Sequence, residues 1–69
     1  MKNIREMNYI ELDEFLNQDI RLTKEQLIDV KRNPYVDDYH FWGKGEYTID
    51  ISNESRNYLY SSVDVFVEE

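Results

Sequence analysis

The run Tyr39-His40-Phe41-Trp42-Gly43-Lys44-Gly45-Glu46-Tyr47-Thr48-Ile49-Asp50-Ile51 decides the fold of this chain. It holds the only tryptophan, the only histidine and both glycines of the 69 residues. Aromatic and β-branched residues alternate with polar ones on either side of Gly-Lys-Gly, which is the pattern of a β-hairpin. With residues 43–45 as the loop, glycine supplies the positive φ that a three-residue connection needs. Trp42 then pairs with Glu46, Phe41 with Tyr47, His40 with Thr48 and Tyr39 with Ile49. Tyr39, Phe41, Tyr47 and Ile49 share the core face, and His40 and Trp42 fall on the other.

A competing register takes Lys44-Gly45 as a two-residue loop. It pairs Trp42 with Tyr47 and His40 with Ile49, turning Trp42 inward and Phe41 outward, because a one-residue slip exchanges the two faces. The first register buries two aromatics and exposes one, so apolar burial favours it.

Beyond the hairpin, Leu59, Ser61, Val63, Val65 and Val67 form another alternating series. It is separated from the first by the turn formers Ser52-Asn53-Glu54-Ser55-Arg56-Asn57. Upstream the period changes to that of a helix. Tyr9, Leu12, Phe15 and Leu16 lie on one helical face, and Asn8 with Glu11 has the form of an N-cap pair. This helix is expected to fade near Asn17, although Ile10 and Leu12 also suit the end of a short strand. Thr23-Lys24-Glu25-Gln26 reads as a capping box with Leu22 as a hydrophobic staple, opening a helix over 24–32. Lys31 and Arg32 suit its C-terminal dipole, and Pro34 disfavours helical geometry at Asn33. The expected architecture is α+β: two short N-terminal helices on one face of a small antiparallel meander of about three strands, in a single domain spanning residues 1–69.

A chain this short buries only about 60% of the surface that its unfolded form exposes. It has no cysteine, so disulfides and thiolate chemistry are excluded. Six tyrosines, three phenylalanines and one tryptophan must supply the core, or a partner subunit must help. No apolar run reaches the roughly 20 residues of a membrane span, and the N-terminal MKNIREMNYIEL is unlike a signal peptide. The expectation is a soluble cytoplasmic protein. Alanine is absent while Asn, Ile, Lys, Asp, Glu and Tyr abound, a usage expected of an AT-rich bacterial or phage genome.

The formal net charge of -7 is unevenly spread. Through Tyr35 seven acids face six bases; from Val36 onward eight acids face only Lys44 and Arg56. The second half is therefore an anion, which repels nucleic acid and attracts basic surfaces. Acidity also serves plain solubility in a small protein.

Little in the sequence points to catalysis. His40 lies near no nucleophile elbow, and Gly43-Lys44-Gly45 lacks the spacing and the Lys-[Ser/Thr] ending of a phosphate loop. Asp37, Asp38 and His40 are close in sequence, but at most Asp38 and His40 converge on one side of a strand, too few for a metal centre. Paired carboxylates for glycoside chemistry have no specific support. No enzyme activity, cofactor or metal is expected.

The outer sheet face is the candidate site. It would carry Asp38, His40, Trp42, Glu46, Asp50, Tyr58, Tyr60, Asp64 and Phe66, aromatics interspersed with carboxylates. Such a patch suits a partner surface, since aromatic anchors dominate binding hot spots. The same residues also serve as ordinary strand formers whose cross-strand pairs stabilise a small sheet. The expected function is a non-enzymatic binding protein, of inhibitor, immunity or anti-defence type. It would act on a basic partner such as a nuclease, a toxin or another nucleic-acid-binding protein, as a mimic of nucleic acid. The alternative is a structural or accessory subunit that forms a homodimer through this face.

Overall fold

The computed structural model describes residues 3–18, 21–53 and 59–68. A 3-10 turn at Ile4–Glu6 leads into α1 (Tyr9–Leu16), the short strand β1 (Arg21–Leu22) and α2 (Lys24–Lys31). Three longer strands follow: β2 (Val36–Gly43), β3 (Glu46–Asn53) and β4 (Leu59–Val67). The protein is a small α+β fold whose four-stranded mixed sheet has the order β1-β4-β3-β2.

Both helices start where local chemistry requires. Asn8 and Glu11 form a reciprocal capping box, and so do Thr23 and Gln26, each pair satisfying two backbone N–H groups that the first turn leaves free. Tyr9, Leu12, Phe15 and Leu16 of α1 are all buried, so its apolar stripe is the one the spacing predicts. In α2 only Leu27 and Val30 are buried, while Ile28 remains exposed. Those helical side chains join Ile49, Ile51, Val63, Val65 and Val67 in one core cluster, to which Ile4, Met7 and Leu22 also belong. Every second residue of β3 and β4 thus faces the core, and the residues between them face away.

The N-terminal segment is fastened by Asn33, which is 2% exposed. Its amide donates to the Ile4 and Met7 carbonyls at 2.7 and 3.0 Å, and its Oδ1 accepts from the Tyr35 N–H at 2.8 Å. One side chain therefore joins the chain start to the loop after α2. The Tyr9 and Ser61 hydroxyls add a 2.6 Å bond between α1 and β4.

Two expectations about the sheet need correction. It has four strands rather than about three, and it is mixed rather than purely antiparallel. Leu22 is more than a staple: Arg21 and Leu22 pair in parallel with Phe66 and Val67. A two-residue strand is too short to show alternation, and its partner lies far along the chain. The turn formers at 54–57 lie outside the described residues.

The hairpin has features of both candidate registers. Phe41 pairs with Tyr47, His40 with Thr48 and Tyr39 with Ile49, as the three-residue loop requires. Yet the turn itself is Lys44-Gly45, because Gly43 rather than Trp42 pairs with Glu46. The register shifts between Phe41 and Gly43, leaving Trp42 as the extra residue. This bulge absorbs one residue and restores the side-chain parity that the two-residue turn would have reversed. Three consecutive residues take positive φ: 100° at Gly43, 54° at Lys44 and 78° at Gly45. A Cβ on Gly45 would lie 2.6 Å from the Val67 carbonyl oxygen, so glycine also permits the tip to close against the end of β4.

Tyr39, Phe41 and Leu59 depart from the core roles expected of them. Phe41 shares the face of Ile49 but is 54% exposed, because β2 is the sheet edge and lies beyond the core cluster. Its ring packs on Tyr47 at 4.9 Å between centroids, and the Lys31 ammonium lies 4.4 Å from the Tyr39 ring centroid. Leu59, the first residue of β4, is exposed; the buried valines of that strand begin at Val63.

Candidate functional site

The sheet face directed away from the core gathers most of the acidic and aromatic residues singled out in the sequence. Cross-strand pairing arranges them in rows. Asp38 of β2 sits opposite Asp50 of β3, which sits opposite Ser62 of β4. The next row is His40, Thr48 and Asp64. At the hairpin end Glu46 is flanked by Gly43, immediately after Trp42, on one side and Phe66 on the other. Arg21 on β1 completes that row beyond Phe66.

The aromatic side chains here are open to solvent. Trp42 is 65% exposed, Tyr60 59% and Phe66 47%. Trp42 is nevertheless held in place. Its indole Nε1 donates to the Thr48 hydroxyl at 2.8 Å, and that hydroxyl donates to Asp64 Oδ1 at 2.7 Å. The His40 ring packs edge-on against the indole, with centroids 4.1 Å apart. A chain of hydrogen bonds thus crosses three strands, from ring to hydroxyl to carboxylate.

The aspartate row is held in the same way. The Ser62 hydroxyl donates to Asp50 Oδ1 at 2.7 Å, and Asp38 Oδ1 accepts the Tyr39 N–H at 2.8 Å. The Tyr60 phenol is pushed above the ordinary tyrosine range. Partial desolvation is the larger cause; Asp50 follows, through its charge and a hydrogen bond, with Asp37 and Asp38 adding repulsion.

An open concavity of about 400 Å³ lies over the hairpin end of this face. Trp42, Glu46, Thr48, Asp64 and Phe66 supply its side-chain lining. A second hollow of about 410 Å³ lies on the helix side, between α2 and the hairpin, among Lys24, Leu27, Phe41, Tyr47 and Glu68.

Of the residues singled out, Asp38, His40, Trp42, Glu46, Asp50, Asp64 and Phe66 share one face, and Tyr60 adjoins the aspartate row. Tyr58 lies outside the described residues. Thr48 and Ser62 were missed by sequence reasoning, though both occupy outward positions in alternating strands and carry the hydroxyls that fix the carboxylates. Arg21 was missed because its strand was. Asp37, Asp38 and His40 do not converge; among the described residues no group of three His, Asp or Glu side chains could hold a metal ion. Among the described residues, no helix is long and apolar enough to cross a membrane. No family model matches the chain, and no curated protein or solved structure is significantly similar to it.

Proposed function

We propose that this protein is a non-enzymatic binding protein whose acidic, aromatic sheet face engages a basic protein partner. A nuclease, a toxin or another nucleic-acid-binding protein fits that chemistry, and the role is that of an inhibitor or immunity factor occupying a site meant for nucleic acid. The observation that carries the reading is the pairing of Asp38 with Asp50 on adjacent strands beside an exposed, hydrogen-bonded Trp42. Like charges directly opposite one another weaken a sheet. An exposed tryptophan gains little for the core yet makes a strong anchor for a partner. Hydrogen bonds hold both features in fixed positions, which lowers the ordering cost of binding. Such residue choices favour a complex over the isolated fold.

The test uses two baits, the natural chain and a triple variant carrying Asp38→Lys, Asp50→Lys and Asp64→Lys. The expected result is a basic protein retained by the first bait, lost on the second and displaced by double-stranded DNA. Equal retention on both baits overturns the reading.

One observation favours self-association as a second reading. Strand β2 is a sheet edge with Tyr39, Phe41 and Trp42 all exposed, and such edges pair readily with other chains. Its two register shifts work against long, flat pairing. Sedimentation at micromolar concentration separates the readings: a dimer lost on Trp42→Ala favours self-association, and a monomer removes it.

A further inference from the structure

We infer that the concavity between Trp42 and Phe66 receives the guanidinium group of an arginine side chain, with Glu46 as its carboxylate partner. This rests on the reading of the acidic face as a partner surface and names the side chain that the partner inserts.

The geometry suits a flat cation. Gly43 and Phe66 pair with Glu46 from opposite sides, so Trp42 and Phe66 rise from the strands flanking the one that bears Glu46. Strands lie about 4.8 Å apart, so the two backbones stand roughly 10 Å apart with the carboxylate between them. A cation seated in the concavity meets a lining that includes both rings and the Glu46 and Asp64 side chains, and a cation–π contact reaches about 6 Å from a ring centroid. Asp64, beside Phe66 on β4, adds a second negative charge to the lining. Trp42 is already oriented by Thr48 and His40, so the wall need not be ordered when the ligand arrives.

One wall already carries a guanidinium within the chain. The guanidinium carbon of Arg21 lies 5.6 Å from the Phe66 ring centroid. Phe66 also lines the concavity, and its strand position is directly opposite Glu46.

Other ligand classes fit less well. Phosphates are repelled by Glu46 and Asp64, and an uncharged apolar group would desolvate both carboxylates without compensation. Lysine brings charge but no planar face, and its ammonium is more strongly hydrated. Arginine stacks on aromatic rings and bonds a carboxylate through two N–H groups at once.

Trp42 is the only tryptophan, so its fluorescence reports occupancy directly. The full chain is titrated at low salt with a hexa-arginine peptide and, separately, with a hexa-lysine peptide of equal charge. The arginine peptide is expected to bind about fivefold tighter, because a guanidinium stacks on a ring while bonding Glu46 through two N–H groups, which an ammonium cannot do. Glu46→Gln and Phe66→Leu should each reduce that ratio toward one. Asp38→Asn, in another row, should weaken both peptides alike and leave the ratio intact. All three positions are exposed, so unchanged far-UV circular dichroism is expected of each variant. Equal binding of both peptides, or a ratio that Glu46→Gln and Phe66→Leu leave unchanged, overturns the arginine site while the acidic-face reading stands on general attraction. Binding of neither peptide overturns both.

Discussion

The indole Nε1 of Trp42 and the hydroxyl of Thr48 are 2.8 Å apart, and the same hydroxyl donates onward to Asp64 at 2.7 Å. An exposed ring is thereby fixed by a neighbour on the next strand. Thr48→Val keeps the β-branched shape and removes both bonds. The expected cost in stability is small, about 1 kcal/mol or less, because every group left behind can reach water. The effect should appear in the ring: lower fluorescence anisotropy of Trp42 and a red-shifted emission. Unchanged anisotropy would mean that His40 packing alone holds the indole.

Asn33 should respond very differently. It is buried and bonds the Ile4 and Met7 carbonyls and the Tyr35 N–H. Asn33→Ala removes the partner of the Met7 carbonyl and of the part-buried Tyr35 N–H, while the Ile4 carbonyl keeps the Met7 N–H; each orphaned buried group costs about 1–3 kcal/mol. Chemical denaturation is expected to show a loss of at least about 2 kcal/mol. In a domain this small such a loss leaves a substantial unfolded fraction. Asn33→Asp should rescue little, since a carboxylate cannot donate to the two carbonyls.

The contrast between these residues shows what was legible in the sequence. Alternation in β3 and β4 and both capping boxes could be read because each depends on neighbours a few residues apart. Asn33 looked like a helix terminator before Pro34; the two carbonyls it binds lie more than 25 residues upstream, and no local pattern marks them. Strand β1 was hidden for the same reason, since its two residues pair with Phe66 and Val67 at the other end of the chain. At Trp42 the local pattern supported two registers, and the bulge combines the turn of one with the pairing of the other. The acidic and aromatic content of the site was plain, but its organisation by Thr48 and Ser62 needed cross-strand pairing to appear.

The two glycines of the turn should not be equivalent. Gly43 has a positive φ, but a Cβ there meets nothing within 4 Å, so Gly43→Ala carries only the backbone penalty of roughly 1–2 kcal/mol. Gly45→Ala carries that penalty and also places its Cβ 2.6 Å from the Val67 carbonyl oxygen, forcing the hairpin tip away from β4. The bond from the Val67 N–H to the Gly45 carbonyl, 2.8 Å long, is strained along with it. Denaturation midpoints should therefore rank the natural chain above Gly43→Ala and Gly43→Ala above Gly45→Ala. Equal losses would show that the tip moves freely against β4.

Tyr60 supplies the pH dependence. Its phenol is raised above the ordinary tyrosine value of 10.0 by partial desolvation and by Asp50, Asp37 and Asp38. The folded state thus holds the proton more tightly than the unfolded state. Its contribution to stability is complete below the ordinary tyrosine range and is lost as pH climbs through the raised folded-state value. The difference in phenolate absorbance between the natural chain and Tyr60→Phe isolates this titration from the other tyrosines. Asp50→Asn should bring it back toward the ordinary value. A titration insensitive to Asp50→Asn would leave desolvation, with the charges of Asp37 and Asp38, as its cause.

The Asp38–Asp50 pair tests whether this face trades folding stability for recognition. The two residues are directly opposite across β2 and β3, where side chains of one sign repel. Asp38→Asn removes the repulsion and keeps an Oδ1 that can accept the Tyr39 N–H. The expected result is a gain of roughly 0.2–1 kcal/mol at low ionic strength. That gain should shrink as added salt screens the pair. Hydroxyl donors such as Ser62 offset part of the repulsion, which is why the gain stays small. Natural proteins tolerate such local costs chiefly at functional sites. A stabilising Asp38→Asn substitution that also weakens capture of a basic partner places the two effects in opposition at one residue. If Asp38→Asn destabilises the fold instead, the pair belongs to the folding of the sheet, and the proposed partner surface loses its strongest physical support.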